Sequence, residues 1–266
     1  MAYLLLYVDD MIISASTTAL LRHIIARLHD AFAVKDMGPV RHFLGINVQR
    51  TAAGFFLSQS SYAEDLLERA GMADCKPVDT PADAKPKAST ADGKPIHDIT
   101  VYRNIAGALQ YLTITTPRHR GTMSLGVQLR TASTPTITAY SDTDWAGCPD
   151  TRRSTSGFCV FFCDSLVSWS SKRQTTMSRS SAEAEYHAIA NAVSECSWLR
   201  HLLGELHCKV PSATIAYCDN ISSVYMARNP DLQLNTHGAH SLRPWLRRAR
   251  SIAACAPGLY DVCAPA

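Results

Sequence analysis

The sequence predicts five helices: four follow from the spacing of apolar residues or from capping boxes, and a fifth, over residues 221–227, follows Asn220 as its cap. Residues 17–32 carry an apolar stripe of period 3.6 after a Ser16 or Thr17 cap, and residues 101–115 carry a second such stripe. Capping boxes, in which a serine precedes a glutamate by three residues, open helices at Ser61 and Ser180. The helix that begins at Ser180 is the longest, because its apolar stripe continues to residue 206.

Short apolar or alternating runs predict the strands between these helices. Residues 4–14 predict two strands joined by a turn that carries Asp9 and Asp10, and residues 43–48 and 54–57 predict a second pair. A run within 123–129 is a further candidate strand. Residues 136–140, 158–162, 166–170 and 214–218 predict the strands of a mixed sheet around the long helix. We therefore expect an α/β protein.

The same pattern divides the chain into segments. Residues 73–98 contain four prolines and no periodicity, which indicates a Pro-rich connector after a first unit over 1–72. A short helical region over 99–130 follows, and a mixed-sheet domain is predicted over 135–230. Residues 231–266 are basic and lack a clear period, which predicts a disordered tail or a shifted reading frame.

Composition places the chain among globular proteins. Its 266 residues, 46% of them hydrophobic, suffice for two modest cores, and a net charge of +3 does not by itself indicate nucleic-acid binding. Nine cysteines without a framework indicate reduced thiols in an intracellular, non-secreted protein. Cys159 and Cys163 are interpreted as buried structural thiols rather than zinc ligands. The apolar opening is interrupted by Asp9 and Asp10, which excludes a membrane span there.

Three acids fall where the predicted sheet could bring them together. Asp142 and Asp219 each end a strand, and Glu185 lies in the first predicted turn of the long helix. Clustered carboxylates repel unless a cation joins them, and such oxygen ligands suit Mg²⁺ or Mn²⁺. Acids at these positions also serve as ordinary helix caps and dipole partners, but Glu183 already occupies the capping-box position. A metal site and a purely structural use both remain open from the spacing.

Several longer motifs resemble a known family. Residues 140–157 (beginning YSDTDWAG), 167–174 (VSWSSKRQ), 180–186 (SSAEAEY) and 217–220 (YCDN) resemble, in this order, the ribonuclease H domain of copia-type retrotransposon Pol polyproteins. Residues 7–10 (YVDD), 43–46 (FLGI) and 107–112 (GALQYL) are similar to the reverse transcriptase of the same polyprotein. The resemblance covers about residues 3–230. It implies a remnant of the polymerase palm followed by a ribonuclease H-like domain.

The resemblance also implies roles for individual residues. Asp142, Glu185 and Asp219 match three of the four acids of the ribonuclease H metal site, and Asp9 and Asp10 match the Mg²⁺-binding pair of the polymerase. The resemblance further implies that the basic pair Lys172 and Arg173 are candidate phosphate contacts on an RNA/DNA hybrid. A solvated hairpin is the alternative interpretation of that pair.

The chain departs from the family pattern in three places. The third polymerase aspartate and the fingers would lie before Met1, so we expect no polymerase activity. Residues 113–123 join two family-like segments almost directly, which indicates an internal deletion. After Pro230 the expected basic helix and the fourth nuclease aspartate are missing, and Asp231 and Asp261 have no matching context, which suggests a frameshift.

These observations leave two main hypotheses for the function. The first is a metal-dependent nuclease that cuts the RNA strand of a hybrid with Asp142, Glu185 and Asp219 as ligands. The second is a non-catalytic remnant of the polyprotein that at most binds hybrid or RNA through Lys172, Arg173 and the basic tail. A host structural protein is a third class without a supporting feature, and no feature of the sequence indicates a specific protein partner.

Overall fold

The computed structural model describes residues 1–76, 89, 91, 96, 98–112, 126–132 and 134–228, and the backbone of a strand at 260–263. Its elements follow in chain order: β1 (Ala2–Tyr7), β2 (Asp10–Ala15), α1 (Thr18–Ala31), β3 (His42–Phe43), β4 (Ile46–Thr51), β5 (Gly54–Ser58), α2 (Ser60–Arg69), α3 (Ile99–Leu112), β6 (Val127–Arg130), β7 (Ile137–Asp144), β8 (Thr155–Phe162), β9 (Ser165–Arg173), α4 (Ser181–Glu205), β10 (Thr214–Tyr217), α5 (Ile221–Arg228) and β11 (Tyr260–Cys263). They form sheets of two, four and five strands. The predicted α/β class is confirmed.

Strands β1 and β2 form the predicted hairpin. Tyr7 pairs with Asp10, so that only Val8 and Asp9 make the turn, and Asp10 is the first residue of β2. Val8 adopts a φ of 50°, in the left-handed region that β-branched residues rarely occupy. The side chains of β1 are exposed on both faces. A hydrogen bond from the Tyr3 hydroxyl to the Leu206 carbonyl, 2.6 Å long, ties the hairpin to the end of α4.

Of the first three helices in the chain, α1 and α3 begin at a side-chain cap. The Thr17 hydroxyl accepts from the Leu20 amide at 3.3 Å, which confirms the predicted start of α1. The predicted capping box at Ser61 is wrong, because α2 already begins at Ser60, directly after β5, and has no side-chain cap. Helix α3 starts where the Asp98 carboxylate accepts from two backbone amides.

The four-stranded sheet has the order β3-β4-β5-β6. The strand predicted over 43–48 is broken in two, because Leu44 and Gly45 have φ values of 48° and 68° and turn the chain between β3 and β4. The Tyr111 hydroxyl donates to the Leu44 carbonyl and so fixes α3 against this turn. Strand β6 completes the sheet, and its Arg130 amide donates to the Ser165 hydroxyl of β9 at 2.8 Å.

The five-stranded sheet has the order β11-β10-β7-β8-β9. Strands β7, β8 and β9 are antiparallel neighbours, whereas β10 pairs in parallel with β7 and β11 in parallel with β10. Strand β11 lies in the 231–266 segment, for which the sequence predicts no regular element, and it is the part of that segment that the structure describes. The frameshift predicted near Pro230 and the deletion predicted at 113–123 fall mostly on residues outside the described ones.

Helix α4 crosses this sheet and buries its main core. The strand side chains of that core alternate toward the helix, as Ile137 and Ala139 do on β7. The cluster comprises Ile137, Ala139, Val160, Ala192, Cys196, Leu199 and Ala216. Burial of a side chain such as Ile137, which is 1% exposed, stabilises the fold by about 1.5–3 kcal/mol. This packing fixes the position of α4 over the central strand.

The two thiols of strand β8 and its turn are only half-buried, so their prediction as buried thiols is corrected. Burial nevertheless raises the pKa of the Cys159 thiol above its usual value. Cys163 lies in the turn after β8 with a φ of 54°, and its thiol contacts the Thr134 carbonyl at 3.4 Å. Among the residues that the structure describes, no helix is long and apolar enough to cross a membrane.

Candidate metal centre

The parallel register of β7 and β10 places Asp142 beside Asp219. Tyr140 is the partner of Tyr217 in this register, and the two rings stack with centroids 5.1 Å apart. Each aspartate follows its tyrosine by two residues, so both carboxylates emerge at the same end of neighbouring strands. Asp142 lies within β7, which continues to Asp144, rather than at the strand end that the sequence predicts. Both aspartate residues are exposed.

Helix α4 supplies the third acid. The capping box at its start is confirmed, because the Ser180 hydroxyl accepts from the Glu183 amide at 3.2 Å. The Glu183 carboxylate accepts from the Arg179 amide at 2.8 Å, so this acid is engaged in capping. Glu185 lies in the second turn of the helix, which corrects the predicted first turn, and it is only 5% exposed. Its burial distinguishes it from a solvated helix acid.

A single backbone amide links two of the acids. The Thr143 N–H donates to Asp142 Oδ1 at 2.7 Å and to Glu185 Oε1 at 2.9 Å. The Thr143 hydroxyl also donates to the Ala184 carbonyl at 3.3 Å, which fixes the first turns of α4 against β7. Thr143 therefore holds the Asp142 carboxylate of β7 and the Glu185 carboxylate of α4 close to each other.

The electrostatics of Glu185 reflect this crowding. Burial, followed by the negative charges of Asp142 and Asp219, raises the pKa of its carboxyl to about 7. The hydrogen bond from the Thr143 amide acts in the opposite direction. Since Glu185 is perturbed by burial and by two specific carboxylates, it has the character expected of a functional acid.

One group in this site, the thiol of Cys218, was not predicted from the sequence. This residue is the last before Asp219, is 1% exposed, and its Sγ lies 3.8 Å from Glu185 Oε2. Burial raises the pKa of the Cys218 thiol to about 11. Its place in the YCDN motif was visible in the sequence, but the direction of its side chain follows only from the packing of β10 under α4.

The side chains present fit a divalent cation. Glu185, Cys218 and Asp219 each offer one ligand atom, and these atoms lie within 4.8 Å of one another. Asp142 adds a carboxylate that is hydrogen-bonded to the same amide as Glu185. Three carboxylates that repel one another are stabilised when a cation joins them, and carboxylate oxygens are the ligands that Mg²⁺ and Mn²⁺ prefer.

Basic side chains lie on the same sheet two strands away. Lys172 and Arg173 end β9 and are exposed, and the register places Ser156 between Lys172 and Thr143. Two strand spacings separate the β9 and β7 backbones, or about 10 Å. Arg152 and Arg153, which the sequence analysis did not assign, are also exposed in the turn before β8. We call these four residues the basic strip.

A buried hydrogen-bond network joins the end of β9, beside the basic strip, to the start of α4. The Gln174 amide group donates to the Ser156 hydroxyl at 2.7 Å and to the Ala184 carbonyl at 2.9 Å, and its oxygen accepts from Ser178 at 2.8 Å. The Trp145 indole donates to the Ser178 carbonyl at 3.2 Å. Strand β9, the loop before α4 and the first turns of α4 are therefore fixed relative to one another.

The structure does not place the polymerase-like acids in this centre. Asp9 and Asp10 are exposed on the β1–β2 hairpin, in a separate two-stranded sheet. Within the described part of the chain, the group of Glu185, Cys218 and Asp219 is the one cluster of potential metal ligands, and it includes neither of them. Their predicted role in metal binding therefore stays a prediction.

Known proteins are similar in sequence to most of the chain. Residues 3–84 match the family model of reverse transcriptase (RNA-dependent DNA polymerase). The chain is 42% identical over 225 residues to an uncharacterised mitochondrial protein of Arabidopsis thaliana, and the alignment covers 74% of this chain and 93% of that protein. It is 38% identical over 257 residues to the retrovirus-related Pol polyprotein from transposon RE2 of Arabidopsis thaliana.

The alignment with the RE2 polyprotein covers 86% of this chain and 18% of the polyprotein, so the chain spans about a fifth of that relative's length. Among solved structures, LC11-RNase H1 in complex with an RNA/DNA hybrid is similar with a TM-score of 0.35 and 12% identity. That similarity covers 48% of this chain and 84% of the solved chain.

Proposed function

The chain belongs to the family of copia-type retrotransposon Pol polyproteins, and from this premise we propose that its larger sheet carries a ribonuclease H-type nuclease site. The substrate is an RNA/DNA hybrid, and the RNA strand is cleaved with Mg²⁺ or Mn²⁺ as the cofactor. The observation that carries the proposal is that Glu185 lies close to Asp219 and shares the Thr143 amide with Asp142. Polymerase activity is not part of this proposal.

Asp142, Glu185 and Asp219 would hold the metal ion. When bound, a divalent ion of this kind supplies a Lewis acid for the phosphodiester and lowers the pKa of a coordinated water. Glu185 contributes through its burial, because a carboxylate removed from water interacts more strongly with a cation than an exposed one. The Thr143 amide keeps the Asp142 and Glu185 carboxylates in a fixed relation before a substrate arrives.

The basic strip would orient the hybrid. All four residues are exposed, and the β9 backbone that carries Lys172 and Arg173 lies about 10 Å from the β7 backbone that carries Asp142. Contacts of Lys and Arg with phosphates position a duplex but carry no sequence information. We therefore expect cleavage to depend on hybrid geometry and on salt rather than on base sequence.

The decisive experiment incubates the purified full chain with a labelled RNA/DNA hybrid and Mg²⁺ or Mn²⁺. Cleavage of the RNA strand that is lost in Asp142→Asn supports the proposal, and Asp164→Asn, a change in the exposed turn between β8 and β9, is the matched control. Absence of cleavage with both ions would refute the nuclease. Binding of the hybrid without cleavage would instead identify a non-catalytic nucleic-acid-binding protein.

A further inference from the structure

The Cys218 thiol faces the same centre as the carboxylates. Its Sγ lies 3.8 Å from Glu185 Oε2, and both side chains are more than nine-tenths buried. The Asn220 backbone amide donates to this sulfur at 3.4 Å. Such a donor stabilises negative charge on the sulfur and orients its remaining lone pairs, as groups around metal-binding thiolates do.

The distances fit a small tetrahedral ion. Zinc lies about 2.3 Å from thiolate sulfur and about 2.0–2.2 Å from carboxylate oxygen, so two such ligands of one tetrahedral ion are about 3.5 Å apart. The separation of 3.8 Å between Cys218 and Glu185 is close to that value. The Asp219 oxygen lies within 4.8 Å of both and belongs to an exposed side chain that can rotate. Three protein ligands would leave one position for water.

We propose that Cys218, Glu185 and Asp219 form a zinc site that overlaps the proposed magnesium site. Thiolate selects softer ions such as Zn²⁺, whereas Mg²⁺ gains nothing from sulfur. On binding, the sulfur–zinc bond replaces the sulfur–hydrogen bond of the thiol, and the proton leaves to the solvent. Since both ions need Glu185 and Asp219, zinc excludes magnesium and inhibits the nuclease.

This inference rests on the proposed function for its consequence, inhibition, but metal binding can be measured without any substrate. Cd²⁺ is the probe, because cadmium takes the same ligands and its bond to a thiolate produces an ultraviolet charge-transfer band. One equivalent of Cd²⁺ is added to the full chain. We expect the band to appear, to disappear on addition of Zn²⁺, and to weaken in excess Mg²⁺.

Two cysteine variants test whether Cys218 supplies the sulfur that binds the metal. Cys218→Ser should lose the band, and Cys196→Ser, which removes a thiol from the core between α4 and the sheet, should keep it. A band of equal strength in Cys218→Ser, or no band in the unmodified chain, overturns the proposal. If circular dichroism shows that Cys218→Ser is unfolded, Asp219→Asn decides, because this residue is exposed and the thiol is retained.

Asp219→Asn should bind Cd²⁺ at least about tenfold more weakly, since changes even outside the ligand shell cost tenfold or more. Unchanged affinity would overturn the proposal. A band with the expected variant pattern but no cleavage of hybrid with Mg²⁺ would refute the nuclease alone. Cleavage with Mg²⁺ and no band would refute the zinc site alone.

Discussion

Replacing Glu185 with glutamine removes a buried charge from the metal centre without changing the volume of the side chain. The glutamine oxygen can still accept from the Thr143 amide, which donates to Glu185 at 2.9 Å. Its amide group would face acceptors, since Asp142 and Asp219 contribute negative charge at this point. We therefore expect Glu185→Gln to abolish metal-dependent cleavage and yet to increase the free energy of unfolding of the metal-free protein.

The magnitude follows from the pKa of Glu185. Because the pKa rises from 4.5 in the unfolded chain to about 7 in the folded protein, the folded state binds the proton more tightly. The contribution of Glu185 to the free energy of unfolding is therefore fully present below pH 4.5, is lost as the pH rises to 7, and stays absent above that. At 1.36 kcal/mol per pH unit, the loss above pH 7 is at most about 3 kcal/mol.

Glu185→Gln does not undergo this loss, so the increase in its free energy of unfolding over the unmodified chain depends on pH and on metal. In chelator at pH 8 we expect a gain of about 1–3 kcal/mol, and at pH 5 of less than about 1 kcal/mol. Saturating Mg²⁺ should reduce or reverse the gain at pH 8, because only the unmodified chain retains the ligand. Urea denaturation followed by circular dichroism measures each value.

The control is Glu205→Gln, which removes an exposed acid at the last position of the same helix. It should change the free energy of unfolding by less than about 0.5 kcal/mol at either pH. If Glu185→Gln is no more stable than the unmodified chain at pH 8 in chelator, the crowding of the carboxylates is not destabilising and the reasoning is refuted.

Three further outcomes test the fold and the basic strip. Ile137→Ala should lower the free energy of unfolding by about 2–5 kcal/mol in urea titrations, because Ile137 is 1% exposed in the core under α4; a loss below 1 kcal/mol would contradict this packing. Ser180→Ala should cost about 1 kcal/mol by the same measurement, since it removes the cap of α4, whereas an unchanged value would show that the cap is dispensable. The double change Lys172→Ala and Arg173→Ala should weaken hybrid binding and reduce the salt slope by about 2 in filter-binding or anisotropy titrations, whereas Arg22→Ala on α1 should leave both unchanged; equal slopes would refute the phosphate contacts.

Local sequence signals predicted much of the chain correctly where short-range contacts decide the structure. The cap at Thr17 and the box at Ser180 are hydrogen bonds between residues three apart, so their residue types suffice to predict them. The box predicted at Ser61 is wrong because α2 begins at Ser60, so Ser61 already lies inside the helix and cannot be its cap. Similarly, the Leu44–Gly45 turn is fixed by Tyr111, which is distant in sequence.

By itself the sequence determined the α/β class and the family and led to the prediction of the three acids, because periodicity, capping and motif order are properties of neighbouring residues. Only the tertiary structure decided how those acids meet. The pairing of Tyr140 with Tyr217 aligns Asp142 with Asp219, and the packing of α4 buries Glu185 and turns it toward Cys218. Strand register and helix docking depend on contacts between residues far apart in the chain, and no local pattern records them.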